Sequence, residues 1–150
     1  VTQEEFDILR HDLEQTDYPV LAAIGNVSYE RLEEYSPCLD VMPELEESSY
    51  KFMKKSEVDD FVKKGEYIKQ VKFEGFSLTF IRRDVVEQIE FRGSNSIDMF
   101  FAIDCEAKGI PTYVDFRAKL FHLKWRTGKG NYEQMTSAAA PAQILLERHA

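Results

Sequence analysis

The chain has 150 residues, 43% hydrophobic and 31% charged, the size and balance of one globular domain rather than of a disordered segment. Its formal charge of −8 is uneven: residues 1–60 carry sixteen acids and five bases, a net −11, and residues 61–150 carry eleven acids and fourteen bases, a net +3. That distribution argues against nucleic-acid binding through the first part, and no apolar run approaches the roughly eighteen residues needed to span a bilayer.

Thr2-Gln3-Glu4-Glu5 has the form of a capping box. Phe6, Leu9 and Leu13 then recur at helical spacing, with Ile8 on a neighbouring row, which predicts a first helix over 3–15. Asp17-Tyr18-Pro19 ends it, and the apolar run 20–24 reads as a buried strand. Gly25-Asn26 bends the chain before Val27, Ser28 and Tyr29. Residues 30–55 lack periodicity; Pro37, Pro43 and Glu44-Leu45-Glu46-Glu47 read as a long loop, or an excursion containing a short element.

Ser56 with Asp59 resembles a helix start, with Val58, Phe61 and Val62 as its stripe and Gly65 as its stop. Residues 66–73 alternate loosely, Tyr67, Val71 and Phe73 on one parity and Ile68, Gln70 and Lys72 on the other. A second strand-like run follows over 76–81, then a helix over 82–89 with Val85, Val86 and Ile89 on one face. After a loop over 91–96, a helix is expected over 98–108. Phe101 and Cys105 lie four apart in it, Phe100, Ile103 and Ala107 fill adjacent rows, and Gly109 and Pro111 end it. Tyr113, Val114 and Phe116 form a strand, 118–125 a further extended segment broken at Gly128-Lys129-Gly130, and 138–146 a terminal helix. The pattern predicts an α/β domain over 1–127, a mixed sheet with flanking helices, followed by a tail or terminal helix over 128–150.

Cys38 and Cys105 lie far apart without metal-ligand spacing, so a reducing, cytoplasmic setting is the default expectation. Asn26-Val27-Ser28 fits the glycosylation sequon, a pattern short enough to arise by chance. Several residues have two readings. Gly75, lacking a β-carbon, lets backbone approach a sugar or supplies a turn between strands. Asp98 is a first-turn helix acid, or a base within reach of a hydroxyl. His122, alone in an extended aromatic segment, is structural or a metal ligand. Arg82 and Arg83 read as helix-start and surface residues. Lys124, Arg126 and Lys129 place three bases in six residues, Trp125 among them stacks on a sugar or anchors the segment, and Asp104, Glu106 and Asp115 fit helix-surface and strand-end roles. His11 lies within an acidic helix.

The stretch Phe73-Glu74-Gly75-Phe76-Ser77-Leu78-Thr79-Phe80-Ile81-Arg82-Arg83-Asp84-Val85, followed by Asp98-Met99-Phe100-Phe101 with Ala107-Lys108-Gly109 and then by Tyr113-Val114-Asp115 and His122, resembles the later, acceptor-side half of a nucleotide-sugar glycosyltransferase of the A-type fold. Val20-Leu21-Ala22-Ala23-Ile24-Gly25-Asn26 looks like the family segment just after its metal-binding acidic motif, which extends the resemblance over about residues 1–125. The resemblance implies transfer of a sugar from a nucleotide-sugar donor to an acceptor hydroxyl. In it Asp98 is the general base, His122 a ligand of Mn²⁺ or Mg²⁺, and Gly75, Lys124 and Arg126 contact the donor. The family often has two adjacent acids where this chain has Ile97-Asp98. With no nucleotide-binding half and no Asp-x-Asp motif ahead of the first helix, the expectation is the trailing part of a longer enzyme, its N-terminal half missing. The competing expectation, from the net −11 over residues 1–60, is a non-catalytic acidic α/β binding or interaction protein.

Overall fold

Val20–Gly25 (β1) has no polar side chain, and all of it is buried. A strand of that composition needs cover on both faces. The computed structural model, which describes residues 2–25, 34–35, 52–72, 74–93 and 97–120, supplies that cover as a mixed α/β fold with helices flanking a mixed sheet. β1 lies inside the sheet, parallel to Thr112–Leu120 (β6) and antiparallel to Thr79–Ile81 (β5); Ile68–Val71 (β4) adds antiparallel to the far side of β6. Glu34–Tyr35 (β2) and Met53–Lys54 (β3) form a separate antiparallel pair.

One face is covered by Gln3–Gln15 (α1). The Thr2 N–H donates to Glu5 Oε2 at 2.7 Å, the capping box expected from sequence. Leu9 is fully buried against Leu21, Ala23, Ala118 and Leu120, with Ile8 and Leu13 beside it, and Phe6 meets Phe80 with ring centroids 5.3 Å apart. The other face is covered by Lys55–Lys63 (α2), by the short Arg83–Val86 (α3) and by Ile97–Ala107 (α4). Val58 of α2 packs with Ala22, Ile24, Val71, Val114 and Phe116, and Phe61 stacks on Phe116 at 5.5 Å. Val85, Ile89, Phe101 and Cys105 close over Val20. Gly65 and Gly109, both at positive φ (75° and 67°), follow the ends of α2 and α4, where a left-handed residue turns the chain out of the helix.

Several boundaries differ from expectation. α2 begins one residue before Ser56, and Glu57 accepts the Lys54 N–H at 2.8 Å. The run 76–81 is a strand only from Thr79; Phe76 and Ser77 lie in an exposed turn. The helix expected over 82–89 is a single turn. The Ile89 N–H still reaches the Val85 carbonyl at 3.0 Å, so Val85 and Ile89 point inward while Val86 is 45% exposed. In α4 the rows beside Phe101 are filled by Met99 and Ala102, whereas Ala107 is exposed.

The segments expected as two, 113–116 and 118–125, begin as one strand with an irregularity. Ala23 opposes Asp115 but Ile24 opposes Lys119, so residues 116–118 bulge out of register. An insertion of odd length moves the following side chains to the opposite face. Val114 and Phe116 therefore face α2, while Ala118 and Leu120, of the same parity, face α1. Residues 121–125, the Gly128 break, the expected 138–146 helix, most of the 30–55 loop and the Asn26 sequon lie outside the described residues.

Candidate active site

The carboxyl ends of the parallel strands β1 and β6 lie side by side, with Gly25 opposite Leu120. In open α/β sheets, this is the edge at which ligands bind. The turn over 74–78 closes against it. The Ala23 N–H donates to the Leu78 carbonyl at 2.9 Å, and a β-carbon on Gly25 would stand 2.4 Å from Ser77 Oγ. Glycine at 25 is what permits that approach. Helix α4 lies close enough to this turn for Phe101 to meet the Phe76 ring at 5.2 Å. It packs Phe101 and Cys105 into the cluster around Val20, Val85 and Ile89, and stops near Gly109, where the chain turns into β6.

Gly75 sits half-buried in the turn, and its carbonyl accepts the Ser77 N–H at 2.6 Å. Asp98 is half-buried in the first turn of α4, where its Oδ1 accepts the Met99 N–H at 2.9 Å. Directly before Gly75 stands Glu74, an acid to which the sequence pattern assigns no role. Its side chain is almost sealed from solvent, at 3% exposure, and Thr79 Oγ1 lies 3.2 Å from both carboxyl oxygens. Burial pushes the Glu74 carboxyl well above the usual carboxylate range; the Thr79 hydroxyl pulls the other way, and the charge of Asp98 pushes it further up. Burial, with Asp104 and Glu74 nearby, also pushes the Cys105 thiol up to about 12, so the sulfur stays protonated and is a packing group rather than a nucleophile.

Aromatic rings lie beside the turn. Phe76, directly after Gly75, and Phe91 are 37% and 46% exposed, and both rest on the buried Phe101 with centroids 5.2 and 5.5 Å away. Ile97, directly before Asp98, is also exposed. β6 ends at Leu120, shortly before His122 in the chain. His122 itself, with Lys124, Trp125, Arg126 and Lys129, lies outside the described residues, as does Cys38. Among the described residues no group of three or more His, Cys, Asp or Glu side chains could hold a metal ion.

The remaining charged candidates have structural partners. Arg82 donates from Nε to the Tyr18 carbonyl at 2.9 Å, and from Nη2 to the carbonyls of Leu13, at 3.1 Å, and of Thr16. It thereby closes the C-terminal end of α1. Arg83 is exposed and pairs with Glu87 at 2.8 Å. Asp104 takes both arms of Arg92, at 3.0 and 2.7 Å, and Glu106 pairs with Lys72, consistent with helix-surface roles.

Asp115 does not fit its expected strand-end role. It lies inside β6 with no solvent exposure. Arg117, in the bulge, folds back so that its Nη2 donates to Asp115 Oδ2 at 2.6 Å and also to Asp12 Oδ2 on α1, and its backbone N–H donates to Asp115 Oδ1 at 2.8 Å. The guanidinium also lies 4.9 Å from the Tyr67 ring centre. Burial, together with its contact to Asp12, raises the Asp115 carboxyl against the pull of Arg117. Burial pushes Asp12 up too, but hydrogen bonds from Asp115 and His11 and the Arg117 charge outweigh it and hold Asp12 low. His11 is largely exposed, 3.1 Å from Asp12. With Glu4, Asp7 and Ile8 this cluster borders an open groove of about 400 Å³. Its carboxylates are already satisfied by Arg117, so it reads as a tie between α1 and the bulge.

Among the described residues no helix is long and apolar enough to cross a membrane. No protein-family model matches the chain, and no curated protein matches it either.

Proposed function

We propose that this chain supplies the acceptor-side portion of a nucleotide-sugar glycosyltransferase of the A-type fold. The observation that supports the reading is the turn carrying Gly75, which closes against the carboxyl end of β1, with Asp98 near enough for its charge to act on the adjoining Glu74. Gly75 and Asp98 both belong to the stretches that resemble that family. An acid in the first turn of a helix is also where the helix dipole favours negative charge.

In the proposed reaction the Asp98 carboxylate takes the proton from an acceptor hydroxyl as its oxygen attacks the anomeric carbon of the donor sugar. The new carbon–oxygen bond forms while the bond from that carbon to the nucleoside diphosphate breaks, its electron pair leaving with the diphosphate. Displacement of this kind inverts the anomeric centre. Lys124 and Arg126 would contact the diphosphate, and His122 would hold Mn²⁺ or Mg²⁺, whose charge offsets that developing on the leaving group.

Calorimetry with uridine and guanosine diphosphates, with and without Mn²⁺, on the full-length protein containing this chain tests the reading. The expected result is metal-dependent binding of one nucleotide, weakened in His122→Ala and kept in Asp98→Asn. Transfer itself should fall by about 10²–10⁴-fold in Asp98→Asn, the usual contribution of a general base. If neither nucleotide binds under any metal condition, the chain is instead the acidic, non-catalytic binding protein that its first sixty residues also suggest.

A further inference from the structure

β4 stands at one end of the four-stranded sheet, and its hydrogen bonding shows which way each of its residues turns. The Phe116 N–H donates to the Tyr67 carbonyl at 2.8 Å. The register runs on from there, with Ile68 opposite Asp115, Lys69 opposite Val114, Gln70 opposite Tyr113 and Val71 opposite Thr112. In an antiparallel ladder only alternate residues bond to a given neighbour, so Tyr67, Lys69 and Val71 turn their backbone groups to β6. Ile68 and Gln70 turn theirs outward, and among the described residues no strand pairs with that side. Sheet edges are commonly blunted by proline, a bulge or charge. Residues 66–72 hold no proline, and β4 meets β6 without a register shift. Its central charge, Lys69, is drawn aside: the ammonium pairs with Glu66 and lies 4.7 Å from the Phe61 ring centre.

The charges flanking the strand point to what fits there. Glu66 stands before it and Lys72 after it, with side chains 42% and 37% exposed. We propose that the outer edge of β4 pairs antiparallel with β4 of a second copy of this chain, about a two-fold axis at Lys69. Ile68 then lies opposite Gln70 of the second copy, so the outward N–H and carbonyl groups of the two exchange hydrogen bonds. Glu66 lies opposite Lys72 of the second copy, twice per dimer. Neither gives up its own partner: Glu66 sits between Lys69 and the new lysine, and Lys72 between Glu106 and the new glutamate. Moving the axis to Ile68 or to Gln70 loses that match. The pairing joins the two sheets into one, independently of glycosyl transfer.

Sedimentation of the chain over a concentration series reaching about 1 mM, with amide exchange followed at both ends of the series, tests this. Dimer should form as concentration rises. The Ile68 and Gln70 amides should gain protection with it, whereas those of Lys69 and Val71, bonded to β6, should be protected throughout. Glu66→Lys and Lys72→Glu should each weaken the dimer about tenfold, since each sets like charges opposite one another twice. Mixed, these two variants should pair with each other more tightly than either pairs with itself, because one carries bases at both positions and the other acids at both. Gln70→Pro removes an outward donor while sparing the β6 ladder, so it should fold and remain monomeric; if it unfolds, the mixed pair decides. A wild type that stays monomeric to the top of the series overturns the proposal. So does a dimer in which the Ile68 and Gln70 amides exchange as in the monomer, or charge variants that gain nothing on mixing.

Discussion

Asp115 is a carboxyl without solvent contact, in a strand whose neighbours on the same face are apolar. Arg117 makes that tolerable by bringing a guanidinium and a backbone N–H to it while reaching Asp12 on α1. Removing the arginine leaves a buried carboxyl uncompensated, which costs far more than a surface ion pair is worth. Arg117→Met is expected to destabilise the fold by about 2–4 kcal/mol, below the upper end for fully buried pairs because the arginine side chain is 37% exposed. Replacing Asp115 with Asn in the same molecule should recover part of the loss. Urea unfolding of both variants checks this, with the midpoint falling in the single variant and rising again in the double. Equal stability of Arg117→Met and wild type would show that the tie is dispensable.

At the scale of elements, Arg82 shows how one side chain joins segments distant in sequence. It precedes α3, yet its guanidinium spans the carbonyls of Leu13, Thr16 and Tyr18 at the end of α1, groups that the helix leaves without intrahelical partners. Arg82→Ala should cost about 2–3 kcal/mol, the order expected for losing charge-assisted bonds at a partly exposed site. Lysine should not restore it, because an ammonium cannot reproduce the planar fork. Hydrogen exchange should report the loss first in the last turn of α1, ahead of β1. The elements themselves were largely legible: α1 from its cap and stripe, β1 from its unbroken apolar run, α4 from Phe101 and Cys105 followed by Gly109. The bulge in β6 was not, because Val114, Phe116, Ala118 and Leu120 keep one parity while changing faces. Nor was Glu74, since an acid before a glycine between two strands has the pattern of an exposed turn. Nothing local signals that it will be buried. Gly75 and Asp98 could be singled out along the chain, but that the charge of Asp98 acts on the residue beside Gly75 is a long-range feature.

Over the whole molecule, the acids pull stability in opposite directions with pH. Asp59, Glu66 and Asp104 are held low chiefly by hydrogen bonds from Lys55, Lys69 and Arg92. Groups of this kind stabilise the fold above their unfolded pKa, and the benefit is lost as pH falls through the folded value. All are near the surface, so each contributes little. Glu74 has the reverse sign. Its folded pKa lies well above the ordinary 4.5, chiefly through burial. Between those two values the unfolded chain has released the proton and the folded chain has kept it, so the unfolded state gains relative stability with every step up in pH. The penalty begins near pH 4.5, grows as pH rises, and is complete once Glu74 ionises in the folded state. Glu74→Gln keeps the shape and removes the titration. Its stability relative to wild type should therefore increase steadily from about pH 4.5 upward and level off on the alkaline side, whatever its offset in acid. Urea midpoints of the two proteins across that range measure the difference. A difference that stays flat with pH would mean that Glu74 titrates alike in the folded and unfolded chains.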